Sequence, residues 1–326
     1  METDFLIQTL SSIVAAAAPV VLASIGETIS EKSGVINLSL DGSIALSAMT
    51  GFAVAFTSGS VALGILAAMA VGALVALIIA FASISLRQEQ VAVGFVLTML
   101  CLELADFLGN PFVRKPGPSV PHAPIPYLSE VPVLGPILFD HNLIVYLSFL
   151  SVVAAWWWIY RTQPGLKLQG VGERPESAFA RGVNVNRLRY IYTVVGGALV
   201  GLAGASYSLS IKLGWSHRHT FGIGWIALAI VIFGGWDPWR VVAGSYLFGL
   251  LKALGSVLQR NPAFASVPTQ IFSSAPFALM IFALLLLSSE GLDRLLALLP
   301  SRLARRIDRV IRGRPPAGLG RPFVQE

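Results

Sequence analysis

The sequence has few charged residues and almost no cysteine. Asp, Glu, Lys and Arg make up 12% of the 326 residues, and Cys101 is the one cysteine. A soluble globular protein carries about 25% charged residues, so this chain cannot cover the surface of one water-soluble domain. A lone cysteine excludes an intramolecular disulfide, and its apolar neighbours favour a packed side chain over a reactive thiol. With 55% hydrophobic residues and a mean hydropathy of +0.73, the composition is typical of a polytopic membrane protein.

The sequence also lacks the motifs of nucleotide-binding, metal-binding and hydrolytic sites. Residues 26–33 come closest to a phosphate loop, but Glu31 replaces the second glycine and would place a carboxylate against the phosphates. His217 and His219 have no accompanying cysteine or carboxylate ligand set, so we predict a solvated loop and no metal site. We therefore expect no catalytic residues, no enzyme activity and no cofactor in this chain. The net charge of +6 favours an anionic lipid surface over nucleic acid as the partner.

Apolar runs of about 20 residues are long enough to cross a bilayer core of about 30 Å. We expect about nine such spans, the seventh being short and interrupted by glycine. Their approximate ranges are 5–25, 35–57, 61–84, 91–108, 143–160, 190–211, 222–235, 239–258 and 270–288. The prediction is an all-α, polytopic transmembrane helix bundle, with a transmembrane domain at 1–290 and a basic cytoplasmic tail at 291–326.

The distribution of basic residues indicates the orientation in the membrane. With nine spans and a cytoplasmic C-terminus, 17 of the 23 Lys and Arg residues fall on the cytoplasmic side and 5 on the outer side, while Lys252 lies in a span. We predict a multi-pass protein of the inner (plasma) membrane with its N-terminus outside. Residues 109–142 contain eight prolines, which predicts an extended or turn-rich cap on the outer face. The tail is amphipathic, typical of an interfacial helix on anionic lipid.

Polar residues interrupt the apolar sequence where the first two spans meet. Glu27, Asn37 and Asp41 lie in apolar surroundings, where an ionisable group is costly and commonly faces a cavity or a partner. Asn37 and Asp41 are four residues apart, so on a helix they would share a face and could hydrogen-bond the hydroxyl groups of a sugar-like solute. The alternative is structural, since Ser39, Asp41 or Ser43 could cap the second span. The sequence leaves both interpretations open.

The predicted cytoplasmic loop 161–189 contains a short helix. Pro175 suits the first turn of a helix and Gly182 its end, which predicts a helix of about two turns over Glu176–Arg181. Ala178 and Phe179 are its apolar part, and we expect both to be exposed. Such a helix can bind another protein or rest on lipid headgroups.

Four blocks of sequence occur in order over about 27–250. They are Glu31-Lys-Ser-Gly-Val-Ile-Asn-Leu38 with Asp41-Gly42, then Gln90-Val-Ala-Val-Gly94, then Gly165–Val185, and last Gly224-Trp-Ile-Ala-Leu-Ala229 through Trp236-Asp-Pro238. Together they resemble the permease subunits of ABC transporters, in the nucleoside and simple-sugar uptake branch related to ribose and branched-chain amino acid permeases.

The resemblance implies the fold of an ABC importer permease and a set of partners. Two permease subunits, forming a heterodimer, would make the pore. An ABC ATPase would bind ATP and magnesium on a separate chain, and an extracytoplasmic solute-binding protein would deliver the solute. The resemblance also implies that Glu27, Asn37, Asp41 and Thr98 line the translocation pathway or bind the substrate. Coupling to the ATPase is implied for Gly172, Glu173, Pro175, Ala178, Phe179 and Gly182.

The sequence departs from the family pattern at several of these positions. Asp41 stands where the family usually has Glu, and Thr98 where Asn is common, and both changes bear on the identity of the solute. Arg174 and Arg181 are also unusual in the coupling loop and imply a more acidic surface on the ATPase.

The function expected is therefore a permease subunit that translocates a nucleoside or simple sugar. The alternatives are a permease for branched-chain amino acids or ribose, and an ion-coupled secondary transporter. An ion-coupled carrier should have several acids deep in its spans, whereas this sequence has few, chiefly Asp41, Glu103 and Asp106.

Overall fold

The computed structural model describes residues 2–260 and 313–324, together with the separate positions 271, 274, 278 and 281. In this part of the chain the regular elements are helices. They are α1 (Glu2–Lys32), α2 (Leu40–Ser58), α3 (Val61–Ala80), α4 (Gln90–Gly109), α5 (Leu143–Arg161), α6 (Gln163–Glu173), α7 (Pro175–Ala180), α8 (Val185–Ser206), α9 (Ile223–Phe233) and α10 (Pro238–Arg260). One-turn π segments extend α3 and α8, and another lies at Gly135–Phe139.

Six helical segments among the described residues are long and apolar enough to cross a membrane. They are Leu6–Lys32, Leu40–Ser58, Val61–Ser85, Gln90–Phe112, Leu143–Arg161 and Val185–Ile211. The protein is therefore a multi-pass helix bundle, and these six segments correspond to the first six predicted spans. The seventh prediction corresponds to α9, whose 11 residues reach only about 16 Å. The predicted span 270–288 and the interfacial helix of the tail lie almost entirely outside the described residues, and the count of nine is not confirmed.

Polar side chains cap the N-termini of five of the described helices, among them α5, α6 and α8. Asn142 accepts hydrogen bonds from the first turn of α5, Thr162 from Gly165 of α6, and Asn184 from Arg187 of α8. These side chains satisfy backbone N–H groups that have no partner inside the helix. The short polar segments before these helices therefore fix where they start.

Glycine allows α8 to pack closely against α1 and α3 in the centre of the bundle. Gly196 lies against Gly26 of α1, and Gly197 and Gly201 lie against Gly72 and Ala68 of α3. Because these residues have no side chain or only a methyl group, the backbones approach closely. Van der Waals attraction between them then holds the helices together in lipid.

The loops collect at two ends of the bundle. At one end, Gly172 of α6 lies against the carbonyl of Lys32, and the Trp236 indole after α9 donates to the Glu31 carboxylate. At the other end, Val113 of the proline-rich loop forms a bridge with Trp215. The segments predicted to be cytoplasmic thus lie together, and so do those predicted to be outside.

The loop 161–189 contains more helix than the sequence predicts. The predicted short helix is present as α7, but an 11-residue helix, α6, precedes it, and α8 already begins at Val185. The three glycines of α6 conceal it from sequence analysis, because glycine has a low helix propensity.

A glycine-to-alanine pair tests the close packing of α3 and α8. A Cβ at Gly201 would overlap the backbone of Ala68 and Met69, whereas a Cβ at Gly170 of α6 would meet nothing within 4 Å. We expect Gly201→Ala to cost about 1–3 kcal/mol through overpacking and to lower the thermal stability of the purified protein. Gly170→Ala should leave stability unchanged or raise it by up to about 1 kcal/mol. Equal unfolding temperatures for the two variants would contradict the close packing.

Candidate functional site

An irregular segment, residues 33–39, joins α1 to α2 inside the bundle; it is called the connector below. Its backbone is held by side chains of transmembrane helices. Glu27 of α1 accepts from the Asn37 N–H at 2.8 Å, Gln90 of α4 accepts from the Ile36 N–H at 2.8 Å, and Thr98 of α4 donates to the Leu38 carbonyl at 2.8 Å. Irregular backbone at membrane depth is stable only when other protein groups satisfy it, so these three side chains make the connector possible.

Asn37 does not lie on the helix that carries Asp41. It precedes α2 and its Oδ1 accepts from both the N–H and the hydroxyl of Ser39, at 3.1 and 2.6 Å. The Ser39 hydroxyl lies 2.9 Å from that of Ser43. The prediction that Asn37 and Asp41 share a helix face is therefore wrong, because α2 begins only at Leu40.

Asp41 binds the N-terminus of α9. Its Oδ1 accepts from the Gly224 N–H at 2.8 Å and its Oδ2 from the Gly222 N–H at 3.1 Å. Gly222 has φ +87°, a conformation that favours glycine, and Gly224 brings the backbone of α9 directly against Leu40 and Asp41. A carboxylate at a helix N-terminus satisfies free N–H groups and interacts favourably with the helix dipole. The capping role considered from the sequence thus exists, but Asp41 caps a neighbouring helix.

The junction between Asp41 and α9 lies near the middle of the bundle. Ser24, eight residues before the end of α1, donates to the Ala227 carbonyl of α9 at 3.3 Å. At 1.5 Å per residue Ser24 is about 12 Å from Lys32, and Gly224 is about 4 Å further along the same direction. Asp41 therefore lies about 16 Å from the charged end of α1, roughly half of a 30 Å bilayer core.

All four residues predicted for the pathway meet at this junction. Glu27, Asn37, Asp41 and Thr98 are 0–3% exposed and contact the connector or belong to its ends. The Glu27 Oε2 atom is buried without a hydrogen-bond partner among the described residues. The site is closed within this chain, so a solute can reach these groups only when the surrounding helices separate.

The C-terminal end of α9 lies beside the charged end of α1, which carries Glu31 and Lys32. Trp236 donates to Glu31, and Tyr160 of α5 donates to Asp237 at 3.3 Å. The ammonium group of Lys32 lies 5.4 Å from the centre of the Tyr160 ring. Helix α9 thus bridges two buried carboxylates, with Asp41 at mid-depth and Glu31 near the charged end of α1.

The predicted coupling residues lie at this same end, on α6 and α7. Gly172, Glu173 and Pro175 contact Lys32 or the segment 313–324, while Gly182 ends α7 with φ +79°. The prediction that Ala178 is exposed is wrong: its side chain packs against the apolar cluster that contains Val171.

Phe179 remains 36% exposed, and its ring centre lies 5.7 Å from that of Phe323. Beside it, α6 and α7 form an open groove of about 440 Å³ that faces outward from the bundle. Its lining includes Leu166, Lys167, Glu173, Arg174 and Arg181. A groove with three cations and one carboxylate suits an acidic protein surface.

The loop between α8 and α9 was predicted to be solvated, but its two histidines contact neighbouring side chains. The His217 ring lies 3.2 Å from the Asp106 carboxylate of α4, and the half-buried His219 ring packs against Trp215, with ring centres 4.7 Å apart. Burial lowers the pKa of the His219 imidazole, and the nearby Lys212 adds to this, while a hydrogen bond to the Ser216 carbonyl opposes it. Among the described residues no cluster of three or more metal-ligand side chains occurs.

Sequence analysis missed several residues that contact the junction, the end of α1 or helix α7. Gly222, Ser24 and the tail residue Phe323 carried no local signal, because each acquires its role from a contact distant in sequence. Gln90 and Trp236 lay inside the family-like blocks, but nothing in those blocks assigned their hydrogen bonds. Cys101 is buried, as predicted.

A multi-pass bundle in which an irregular connector and a half-length helix meet at mid-depth has the architecture of a membrane transport protein. The chain belongs to the family described as branched-chain amino acid transport system / permease component, whose model matches residues 9–285. It is a permease, a transport component.

Three relatives match over most of their length. The "Putative glucose ABC transporter permease protein TsgC13" of Haloferax volcanii is 39% identical over 249 residues, covering 75% of this chain and 76% of the relative. The guanosine ABC transporter permease NupQ of Bacillus subtilis is 35% identical, covering 86% and 92%. The nucleoside ABC transporter permease NupC of Lactococcus lactis is 31% identical, covering 84% and 90%. No solved structure matches the chain.

Replacing Asp41 by Asn tests whether the junction serves transport. The substitution keeps the size of the side chain but removes its charge and one acceptor for the N–H groups of Gly222 and Gly224. We expect uptake per permease molecule to fall about tenfold or more, since a hydrogen bond to a charged group contributes about 1.5–3 kcal/mol. The amount of permease in the membrane should change by less than about twofold.

The control is Asp106→Asn, the same chemical change near the other end of the bundle. Uptake of a radiolabelled solute, normalised to permease detected by immunoblot, compares the two variants. Normal uptake per molecule in the Asp41 variant would show that the carboxylate is only structural.

Proposed function

We propose that this chain is the permease subunit of an ABC importer and translocates a nucleoside or simple sugar. The junction of Asp41 with the N-terminus of α9 is the observation on which this rests. It places a carboxylate, an amide and several hydroxyls at mid-depth, the level at which membrane transporters with interrupted helices bind their substrates. The sequence resemblance and the printed names of the relatives supply the solute class.

The proposal includes partners that supply energy and solute. A separate ATPase binds ATP with magnesium and contacts α7 from the cytoplasm, a second permease subunit completes the pore, and a solute-binding protein delivers the solute from outside. Because Gly172 of α6 lies against Lys32, a displacement of α6 and α7 is transmitted to the end of α1. The connector begins at the next residue, so the motion reaches Asn37 and Asp41.

The proposal also includes the orientation, with α6, α7 and the tail in the cytoplasm. Ser119 in the proline-rich loop and Ser177 in α7 are both exposed and lie at opposite ends of the bundle. In a Cys101→Ala background, Ser119→Cys should react with a membrane-impermeant maleimide in intact cells. Ser177→Cys should react only after the cells are opened. The reverse pattern would invert the proposed topology.

Phe179→Asp tests the ATPase contact. Burying the new carboxylate against a partner requires desolvation, and truncating a central aromatic anchor commonly costs about 2 kcal/mol or more. We expect the ATPase activity recovered with tagged permease, and uptake of labelled guanosine, to fall about tenfold or more while the permease level in the membrane stays normal.

Gln163→Asp is the matched control, since it places the same charge at an exposed position of α6 that does not line the groove. Competition of guanosine uptake by unlabelled nucleosides, glucose and leucine identifies the solute class. Competition by leucine alone would contradict the nucleoside or sugar assignment, and normal ATPase recovery with Phe179→Asp would contradict the contact.

A further inference from the structure

The C-terminal segment 313–324 lies across the end of the bundle that carries α6 and α7. Its residue Phe323 is 7% exposed and packs in an apolar cluster with Val171 of α6, Ala178 of α7 and Val185 of α8. The ring also contacts Phe179, with centres 5.7 Å apart. One side chain of the tail therefore fills the space between three helices.

The backbone of the same segment forms hydrogen bonds with other elements. The Gly318 N–H donates to the Gly172 carbonyl at 2.8 Å, and the Gly320 N–H donates to the Gly34 carbonyl of the connector at 3.0 Å. The buried Arg189 guanidinium of α8 donates to the Arg321 carbonyl at 2.9 Å. The segment thus joins α6, α8 and the connector through its main chain.

Helix α7 depends on such contacts for its orientation. Six residues are too few for a helix that is stable alone in water, and no side chain caps its N-terminus. The position of α7 is therefore set by the groups that pack on it, which are α6, α8 and Phe323.

We propose that the segment 313–324 is part of the coupling apparatus, with Phe323 as a positioning residue for α7. The ring holds α7 in the orientation that the ATPase binds, and the backbone bonds of Gly318 and Gly320 link α7 and α6 to the connector. The inference rests on the proposed function, because it requires an ATPase that contacts α7.

The ring is tested by Phe323→Ala and Phe323→Leu, with the adjacent and half-exposed Val324→Ala as control. Tagged permease is purified from its native host, and ATP hydrolysis in the eluate reports the ATPase bound per permease. We expect Phe323→Ala to lower that value about tenfold at a normal membrane level. Phe323→Leu should retain most of it, and Val324→Ala all of it.

The backbone link is tested by Gly318→Val. A Cβ at this position would come within 2.8 Å of the Gly172 carbonyl oxygen and 3.2 Å of the Pro175 ring, so the segment must lift away from α6. We expect normal ATPase recovery, but uptake per ATP hydrolysed should fall about fivefold or more. A decrease of this size corresponds to the loss of a modest coupling free energy between the ATPase contact and the connector. Gly214→Val is the control, since it makes the same change at the other end of the bundle, where a Cβ would meet only an ordinary contact at 3.6 Å.

Two outcomes would overturn the inference. If Phe323→Ala and Gly318→Val both match the wild type while Phe179→Asp loses the ATPase, the tail has no coupling role but the proposed function stands. If Phe323→Ala and Phe323→Leu both remove the permease from the membrane, the ring stabilises the fold and does not position α7. Full ATPase recovery with Phe179→Asp would instead identify a failure of the proposed function itself.

Discussion

The carboxylate of Asp41 joins two interruptions of helical backbone in the middle of a medium without water. The connector and the N-terminus of α9 both expose main-chain N–H and C=O groups at a depth where only protein can satisfy them. Asp41 accepts two of these N–H groups, and Glu27, Gln90 and Thr98 satisfy the connector. Once these bonds are fixed, α1, α2, α4 and α9 have little freedom to slide past one another.

The arrangement explains why separate blocks of sequence carry the family resemblance. The connector lies in the first block, Gln90 opens the second, Gly172 lies in the third, and Gly224 and Trp236 lie in the last. Every one of these groups contacts the connector or an element that ends beside it. Residues scattered over 200 positions are thus constrained by one small region of the fold.

Sequence patterns predicted well those features that depend on local composition. The first six spans, the short seventh element and the helix after Pro175 all follow from apolar runs and helix-breaking residues. The family resemblance also selected Glu27, Asn37, Asp41 and Thr98, which the structure places in or beside the connector.

Features that depend on distant contacts could not be predicted in the same way. The helical spacing assigned to Asn37 failed because side chains from α1 and α4 stabilise a non-helical backbone there. Ala178 was expected at the surface because the residue that covers it, Phe323, lies 145 positions later in the chain. The capping partner of Asp41 likewise lies 181 residues away.

The short length of α9 has a consequence for how the two ends of the bundle are connected. Trp215, which pairs with the proline-rich loop at one surface, precedes Gly222 by only seven residues. At the opposite surface, Lys32 contacts α6 and precedes Asn37 by five. Two short pieces of main chain, one from each end of the bundle, therefore converge on the region around the connector and Asp41. A displacement at either end of the bundle therefore bears on the same pair of hydrogen bonds, those of Asp41 with Gly222 and Gly224.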